Sequence, residues 1–534
     1  MFDKRLFRFS VYGFSMVVVL GVFAPLHSQP VIRNIYFDRS NVFNSSDSTT
    51  PGWFKSVVNT IHVTSREGFL RNEILFREND RLQPALLAES ERKLRRLYFM
   101  GDVSIQPVTE GDTCDVIVRT HDYWSLTTNA SYKDDGGFQS YALSLSESNF
   151  LGTGDELFGG TDYSTARSKK FGSQFFFVGK HFPFQSWELM AQYKAAEELT
   201  VRSLGITQPF FSEESRWSFG AYIDDGNSLR RVYADGLTTF EETAVQQNQM
   251  FWGIVSLGSD TKYRIGMSYM HRTTGGVITL TRSDDQLSMA EVSFGLLTRS
   301  WTKTTGLNTL TRVEDVPTGF ALDFIAGRNF VYQLPSAVPD YLVARAITAV
   351  TVNQSTYLSP AIQYTRTALS SGLSEATLQY TFLAHHRLSS SDLIIFRTTG
   401  TNGYRWLAGE EIILGSPTGL RGYDRFAFAG TRMLLFNLES RHVFPTPVWI
   451  FNFGAALFAD CGTVWNDPQE LARQRFHSAV GIGFRIENMK QQGLGLIRID
   501  IPYSLDQRKI SSITITSTHF LTAFADFDNI PPHF

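Results

Sequence analysis

The sequence predicts a mainly β protein: an antiparallel transmembrane β-barrel of about 16 strands, preceded by one small α+β domain. Three observations predict it. The stretch Leu126–Phe524 reads almost entirely as strands and turns, and at roughly 25 residues per tilted strand with its connection it holds about 16 strands. Aromatic residues make up 14% of the chain while mean hydropathy is only −0.13, as expected where lipid-facing and lumen-facing residues alternate. Near the C-terminus that alternation gathers charged side chains on one face of successive strands.

The chain opens with an export signal. Lys4, Arg5 and Arg8 form a basic start, and Val11–Ala24 is apolar but too short to span a membrane as a helix. Cleavage is expected near Ser28, making residues 1–28 the signal peptide; an uncleaved anchor is the alternative. The net charge of −3 supplies no basic face for a nucleic-acid partner. The cysteines Cys114 and Cys461 fall in different predicted domains, so neither a disulfide nor a metal site is read from them.

Residues 30–125 make the α+β unit. Val31–Phe37 alternates as a strand, and SSDSTTPG follows as a loop. Thr64 and Glu67 have capping-box spacing for a helix that buries Phe69, Leu70, Ile74 and Phe76. A second helix starts at Pro84, with Leu86, Leu87, Leu94 and Leu97 at helical spacing. Its other face carries Glu89, Glu91, Arg92, Lys93 and Arg96 and reads as solvated surface. Two strands, from Val103 and from Asp115, complete the order strand, helix, helix, strand, strand.

Residues 126–524 make the barrel, and its last segments allow faces to be assigned. In RMLLFNLESRHV, Leu434, Phe436 and Leu438 oppose Asn437, Glu439 and Arg441. In FNFGAALFADCG, Phe451, Phe453, Ala455 and Leu457 oppose Asn452, Gly454, Ala456, Phe458, Asp460 and Gly462. Val480, Ile482, Phe484 and Ile486 then oppose Gly481, Gly483, Arg485 and Glu487, and Ile497, Ile499 and Ile501 oppose Arg498 and Asp500. SSITITSTHFLTAF is the closing strand, with Ile513 and Ile515 outward. Periodicity alone fits a soluble sandwich too, with its inner face apolar. The export signal, the strand number and the glycines on the charged face favour the barrel. Residues 525–534 form a C-terminal tail; Phe534, Phe520 and Phe524 are alternative aromatic ends.

Several of these residues resemble, motif by motif, the superfamily of outer-membrane proteins that joins POTRA domains to a barrel and includes BamA, TamA and the bacterial surface antigens. The helix-to-strand passage Leu97, Phe99, Gly101, Asp102, Val103 is similar to that of a POTRA domain. Leu420, Arg421, Gly422 and Tyr423 match the family's inward-folded Arg-Gly-aromatic loop. Phe458, Asp460 and Gly462 match its Phe-x-Asp-x-Gly strand, Gly483 and Arg485 its Gly-x-Arg strand, and Glu439 a glutamate in the strand after the loop.

On this resemblance Arg421 is expected to reach Asp460 and Glu439 in the lumen, since a guanidinium offers carboxylates a planar fork of donors. Gly422 would allow the tight turn, Tyr423 would pack on the inner wall, and Gly462 and Gly483 would leave room for the loop. The resemblance implies a bacterial outer-membrane location with a periplasmic POTRA-like domain. It implies insertion of outer-membrane proteins or translocation of polypeptides, and as partners the lipid bilayer, unfolded or exported polypeptide clients and periplasmic accessory proteins. A dedicated transporter for one secreted partner, and a passive pore or surface antigen, are the alternatives. BamA carries several POTRA units, whereas one is found here. No catalytic residue, metal site or cofactor is predicted: the Gly-x-Ser-x-Gly, His-Glu-x-x-His and phosphate-loop patterns are missing. His385 and His386, adjacent on a strand, point to opposite faces.

Overall fold

The computed structural model describes residues 29–516 apart from 45–49, 136–137, 166, 198, 235–236, 279–280, 283–284, 331–339, 354, 369–373, 406–410, 425–426, 467–470, 492–495 and 511–512. The expected signal peptide, the tail 525–534 and most of the closing segment therefore lie outside the described residues.

The N-terminal part contains β1 (Val31–Ser40), α1 (Gly52–Ile61), α2 (Glu67–Glu73), α3 (Pro84–Arg95), β2 (Met100–Glu110) and β3 (Thr113–Asp122). β3 is central, parallel to β1 and antiparallel to β2. Alternation in the strands and the 3.6-residue period in the helices bring Ile32, Ile35, Phe69, Leu70, Leu94, Phe99, Val116 and Val118 into one core.

Three details differ from the sequence reading. α1 is an additional helix after the Ser/Asp/Thr-rich loop. The Thr64–Glu67 capping box does not form: Arg66 is the N-cap of α2, without a side-chain cap, and its backbone N–H donates to the Gly152 carbonyl at 2.8 Å. The charged face of α3 is not solvated. Arg95 makes two bonds to Asp315, at 2.8 and 2.9 Å, Lys303 donates to Glu91 at 3.0 Å, and the Glu213 backbone N–H donates to Glu89 at 2.6 Å. A charged helical face has the same periodicity whether it meets water or complementary charge, so the pattern could not reveal this contact.

From β4 (Leu126–Asp135) to the short strand Thr514–Thr516, one large sheet pairs antiparallel neighbours in chain order. That order returns on itself, giving a closed barrel. The ring comprises 22 strand segments among the described residues, two of them the two-residue pairs Thr281–Arg282 and Lys509–Ile510. The six strands between Leu126 and Gln208 are only 8 to 13 residues long and joined by short connections.

The sheet inverts the polarity of a soluble sandwich. Glu439, Arg485 and Arg498 on its inner face are 0% exposed, whereas Leu438, Leu457, Ile482 and Phe484 on its outer face are 47%, 65%, 50% and 50% exposed. The N-terminal unit packs against the turns of one end, including 149–154, 181–187, 211–213 and 306–312. Antiparallel alternation puts the long connection 405–431 at the opposite end.

Candidate functional site

Between the strands that end at Tyr404 and begin at Arg432, the described residues 411–424 and 427–431 fold back inside the sheet. The base of this loop is a ladder between Ile412–Leu414 and Phe428–Gly430. A single turn at Ser416–Thr418 follows, and Gly419, at φ 111°, redirects the chain inward. Leu414, Leu420 and Tyr423 are buried with Met433, Leu435 and Ala479 of the wall, so an apolar contact surrounds the polar one. Tyr423 packs on the inner wall, and its hydroxyl donates to the Ser478 carbonyl at 3.0 Å and lies 2.7 Å from Asp506 Oδ2.

Arg421 ends at the centre of this contact, 2% exposed. Its Nε donates to Asp460 Oδ2 at 2.7 Å and its Nη2 to Asp460 Oδ1 at 2.8 Å. Nη1 donates to Glu439 Oε2 at 2.9 Å and to Asp500 Oδ2 at 3.3 Å. The guanidinium also lies over the Phe458 ring, 3.5 Å from its centroid, which covers the flat face that makes no hydrogen bonds.

Strand register explains why these groups meet. Asn437 pairs with Asp460, Glu439 with Phe458, Arg485 with Arg498 and Gly483 with Asp500, all on the inward rows of four adjacent strands: Arg432–Val443, Phe451–Trp465, His477–Asn488 and Leu496–Ser504. Arg485 bridges Glu439, at 2.9 Å, and Asp500, at 2.7 Å. Arg441 bonds Glu439 at 2.7 Å, and Arg498 bonds Asp500 at 2.7 Å. Four arginines thus surround three carboxylates, each buried charge having an opposite partner, the condition under which burying ions is tolerable.

The small residues make this packing possible. Gly422 has φ +86°, a left-handed conformation that suits glycine, and a Cβ there would come 3.2 Å from both Ala479 Cβ and Pro502 Cβ. At Gly462 an added Cβ would meet Leu414 of the loop and Leu435, so this glycine does adjoin the loop. Gly483 acts differently from the expectation: an added Cβ would lie 2.5 Å from Asp500 Oδ1 and 2.6 Å from Arg485 Nη1. It makes room for the wall's own ion pair.

Sequence reasoning missed Asp500 and Arg498 as members of the cluster, although their alternation in LIRIDI already put them on the charged face. It also missed a second inward element. The turn 306–312, at the N-terminal-domain end, enters the sheet from below. The Leu307 carbonyl accepts a hydrogen bond from Arg441 Nη1 at 3.2 Å. The Leu310 and Thr311 backbone N–H groups donate to the two oxygens of Glu487, each at 3.2 Å, and Thr311 Oγ1 adds a bond of 2.9 Å. Arg312 bonds the carbonyls of Asn488 and Gln491 and lies 4.8 Å from the Tyr123 ring centroid. Arg441 therefore links the two inward elements: it bonds the turn through Leu307 and the loop through Glu439. The residues of a turn do not by themselves signal that it crosses to distant strands. Among the described residues no group of three or more His, Cys, Asp and Glu side chains has metal-binding geometry.

No family model matches this chain, and no curated protein matches it. Among solved structures it is similar to BamA from Haemophilus ducreyi lacking POTRA domains 1–3, at 14% identity and a TM-score of 0.38 over 91% of this chain and 82% of that one. It is similar to CdiB from Acinetobacter baumannii at 12% identity and a TM-score of 0.42, covering 90% of this chain and 72% of that one. CdiB from Escherichia coli is similar at 11% identity and a TM-score of 0.45, covering 91% and 75%.

Proposed function

We propose that this chain is a bacterial outer-membrane barrel of the POTRA-plus-barrel type, which inserts outer-membrane proteins or translocates polypeptides, with residues 30–125 as a POTRA-like periplasmic domain. The membrane part of this reading rests on one observation. The sheet buries its arginines and carboxylates and exposes Leu438, Leu457, Ile482 and Phe484, an arrangement stable in lipid and costly in water.

The polypeptide part rests on the loop. A lumen occupied by a pinned loop and by a turn from the other end suits a machine that must stay sealed between clients, and argues against a permanently open pore. Clients would be captured by backbone pairing: the segment 79–82 already bonds to the start of β1, whereas β2 forms the other edge of the three-stranded sheet with no further strand beside it among the described residues, and an extended segment can add there. No catalytic step is involved. Work would come from strand pairing and local deformation of barrel or bilayer.

Depletion of the protein followed by an inventory of outer-membrane proteins tests the reading. Broad loss of barrel proteins is expected. Loss of one exported protein would favour a dedicated transporter, and an unchanged inventory with altered solute leakage would favour a pore. Reconstitution in liposomes with an unfolded barrel client gives the direct measurement: accelerated client folding is expected, and a rate equal to that of empty liposomes would overturn insertion.

A further inference from the structure

α1 has its amphipathic faces turned the opposite way from a helix of a soluble domain. Its polar side is fastened to the domain: Asn59 accepts from the Phe43 backbone N–H at 3.1 Å and donates to the Phe43 carbonyl at 2.8 Å and the Asn41 side chain bonds the Asn59 carbonyl at 3.1 Å. Its apolar side faces outward. Trp53, Val57 and Ile61, spaced four apart and so on one stripe, are 70%, 49% and 62% exposed, and the helix buries none of its residues.

The neighbours of α1 place it beside the end of the barrel wall. Phe54 packs edge-on against Phe43, and Lys490, in a barrel turn, lies over the Phe43 ring. The adjacent Met489 backbone N–H bonds the Ile450 carbonyl at 2.8 Å. That brings in the neighbouring turn, where Phe444, Val448 and Trp449 are also exposed. α1 is thus linked, through Phe43 and the turn that holds Lys490 and Met489, to an apolar and aromatic rim at the end of the barrel wall. Tryptophans concentrate at membrane–water interfaces, and an amphipathic helix lies in that plane with its apolar side in the acyl boundary.

We propose that α1 is an interfacial membrane anchor. Trp53, Val57 and Ile61 enter the periplasmic leaflet of the outer membrane, continue the rim formed by Val448 and Trp449, and hold the N-terminal domain against the bilayer. This inference rests on the barrel reading above.

The test uses the full chain in proteoliposomes of phosphatidylethanolamine and phosphatidylglycerol. Spin labels are placed at Val57→Cys and, about 100° round the helix on its exposed polar flank, Ser56→Cys, with Cys114→Ala and Cys461→Ala removing the native thiols. The ratio of collisions with oxygen to collisions with an aqueous nickel chelate is expected to be high at 57 and to invert at 56. An aqueous ratio at both positions overturns the anchor. So does a label at 57 that neither reagent reaches, which would mean protein covers the stripe, as a second copy would. A third label at Leu457→Cys, on the outer barrel face, separates the two readings. If 457 is in lipid and 57 in water, only the anchor fails; if 457 is in water, the barrel reading fails first. Trp53→Ser provides an independent check: the 57 label is expected to lose oxygen contact in that variant, and an unchanged ratio would remove Trp53 from the anchor.

Discussion

Arg421 and Asp460 face each other through two nearly parallel hydrogen bonds of 2.7 and 2.8 Å, inside a sheet whose outer surface is apolar. The remaining guanidinium nitrogen reaches Glu439 at 2.9 Å. Removing one partner of such a pair leaves the other buried without compensation, a loss of about 3–5 kcal/mol. Arg421→Ala is therefore predicted to lower the temperature at which the barrel loses its compact, heat-modifiable form on a gel. Arg421→Lys keeps the charge but not the planar fork, so a smaller loss is expected. Unchanged heat modifiability and unchanged client folding in Arg421→Ala would refute the role proposed for the loop.

Gly422 offers a gentler perturbation of the same contact. An alanine there must adopt a left-handed backbone, at about 1–2 kcal/mol, and its Cβ must press on Ala479 and Pro502. Gly422→Ala is predicted to shift the melting temperature in the same direction as Arg421→Ala but less. Combined with Arg421→Ala it should add little, because the loop is already released. Full additivity in the double variant would mean that the two positions act on separate structures.

Much of this site is legible in the sequence, for a physical reason. A strand alternates with period two, so Glu439, Asp460 and Arg485 fall on one face as soon as the strands are recognised, and the loop arginine is the natural counter-charge. The contacts of Arg421 with Asp460 and Glu439 are present in the structure. What the alternation did not contain was register. Only the pairing of Gly483 with Asp500 explains why Asp500 joins the cluster and why Gly483 serves Arg485 and not the loop. The N-terminal unit showed the same division. Its core leucines and phenylalanines followed from the helical period, whereas the docking of Glu91 and Arg95 did not, since complementary charges on Lys303 and Asp315 lie far away in sequence.

That docking can be measured. Arg95 and Asp315 form a two-bond pair joining α3 to the barrel, with side chains 12% and 7% exposed. A double-mutant cycle with Arg95→Ala and Asp315→Ala is predicted to give a coupling of about 1–3 kcal/mol, within the range for directly contacting charged groups. The readout is the rate at which protease releases the N-terminal domain from the folded barrel. Independent, additive effects would show that the pair contributes nothing to docking.

Acid should weaken the same interface at a second point. Glu73 is buried 2.7 Å from Lys93 and 2.9 Å from His181 of a barrel turn. Burial alone would raise its carboxyl, but the His181 hydrogen bond and the Lys93 charge outweigh that and hold it at about 2, against an ordinary value of 4.5. A depressed carboxyl contributes stability above its ordinary value and loses it as pH falls through the folded value. Docking is therefore predicted to be constant near neutrality and to weaken progressively from pH 4.5 towards 2. Lys93, pushed down to about 8 by burial, stays charged throughout that window and adds no slope there. Glu73→Gln should remove this part of the acid dependence in a protease-release or hydrogen-exchange profile. A profile identical to that of the parent would assign the acid sensitivity to other groups.

Arg441 makes the strongest case for coupling between the two ends of the lumen. It bonds Glu439, which Arg421 of the loop also bonds, and it bonds the Leu307 carbonyl of the turn that enters from the N-terminal-domain end. If each inward element seals the lumen by itself, releasing one leaves the other in place. Replacing Leu307 and Leu310 with serine weakens the turn's apolar seat, and Arg421→Ala releases the loop. Each variant alone is predicted to give little or no increase in conductance across a planar bilayer, and the combination a large one. Arg441→Ala removes the shared contact and should loosen both elements, so its conductance is expected to exceed that of either single variant. A high conductance in Arg421→Ala alone would mean that the turn does not close the barrel, and that the loop is its only seal.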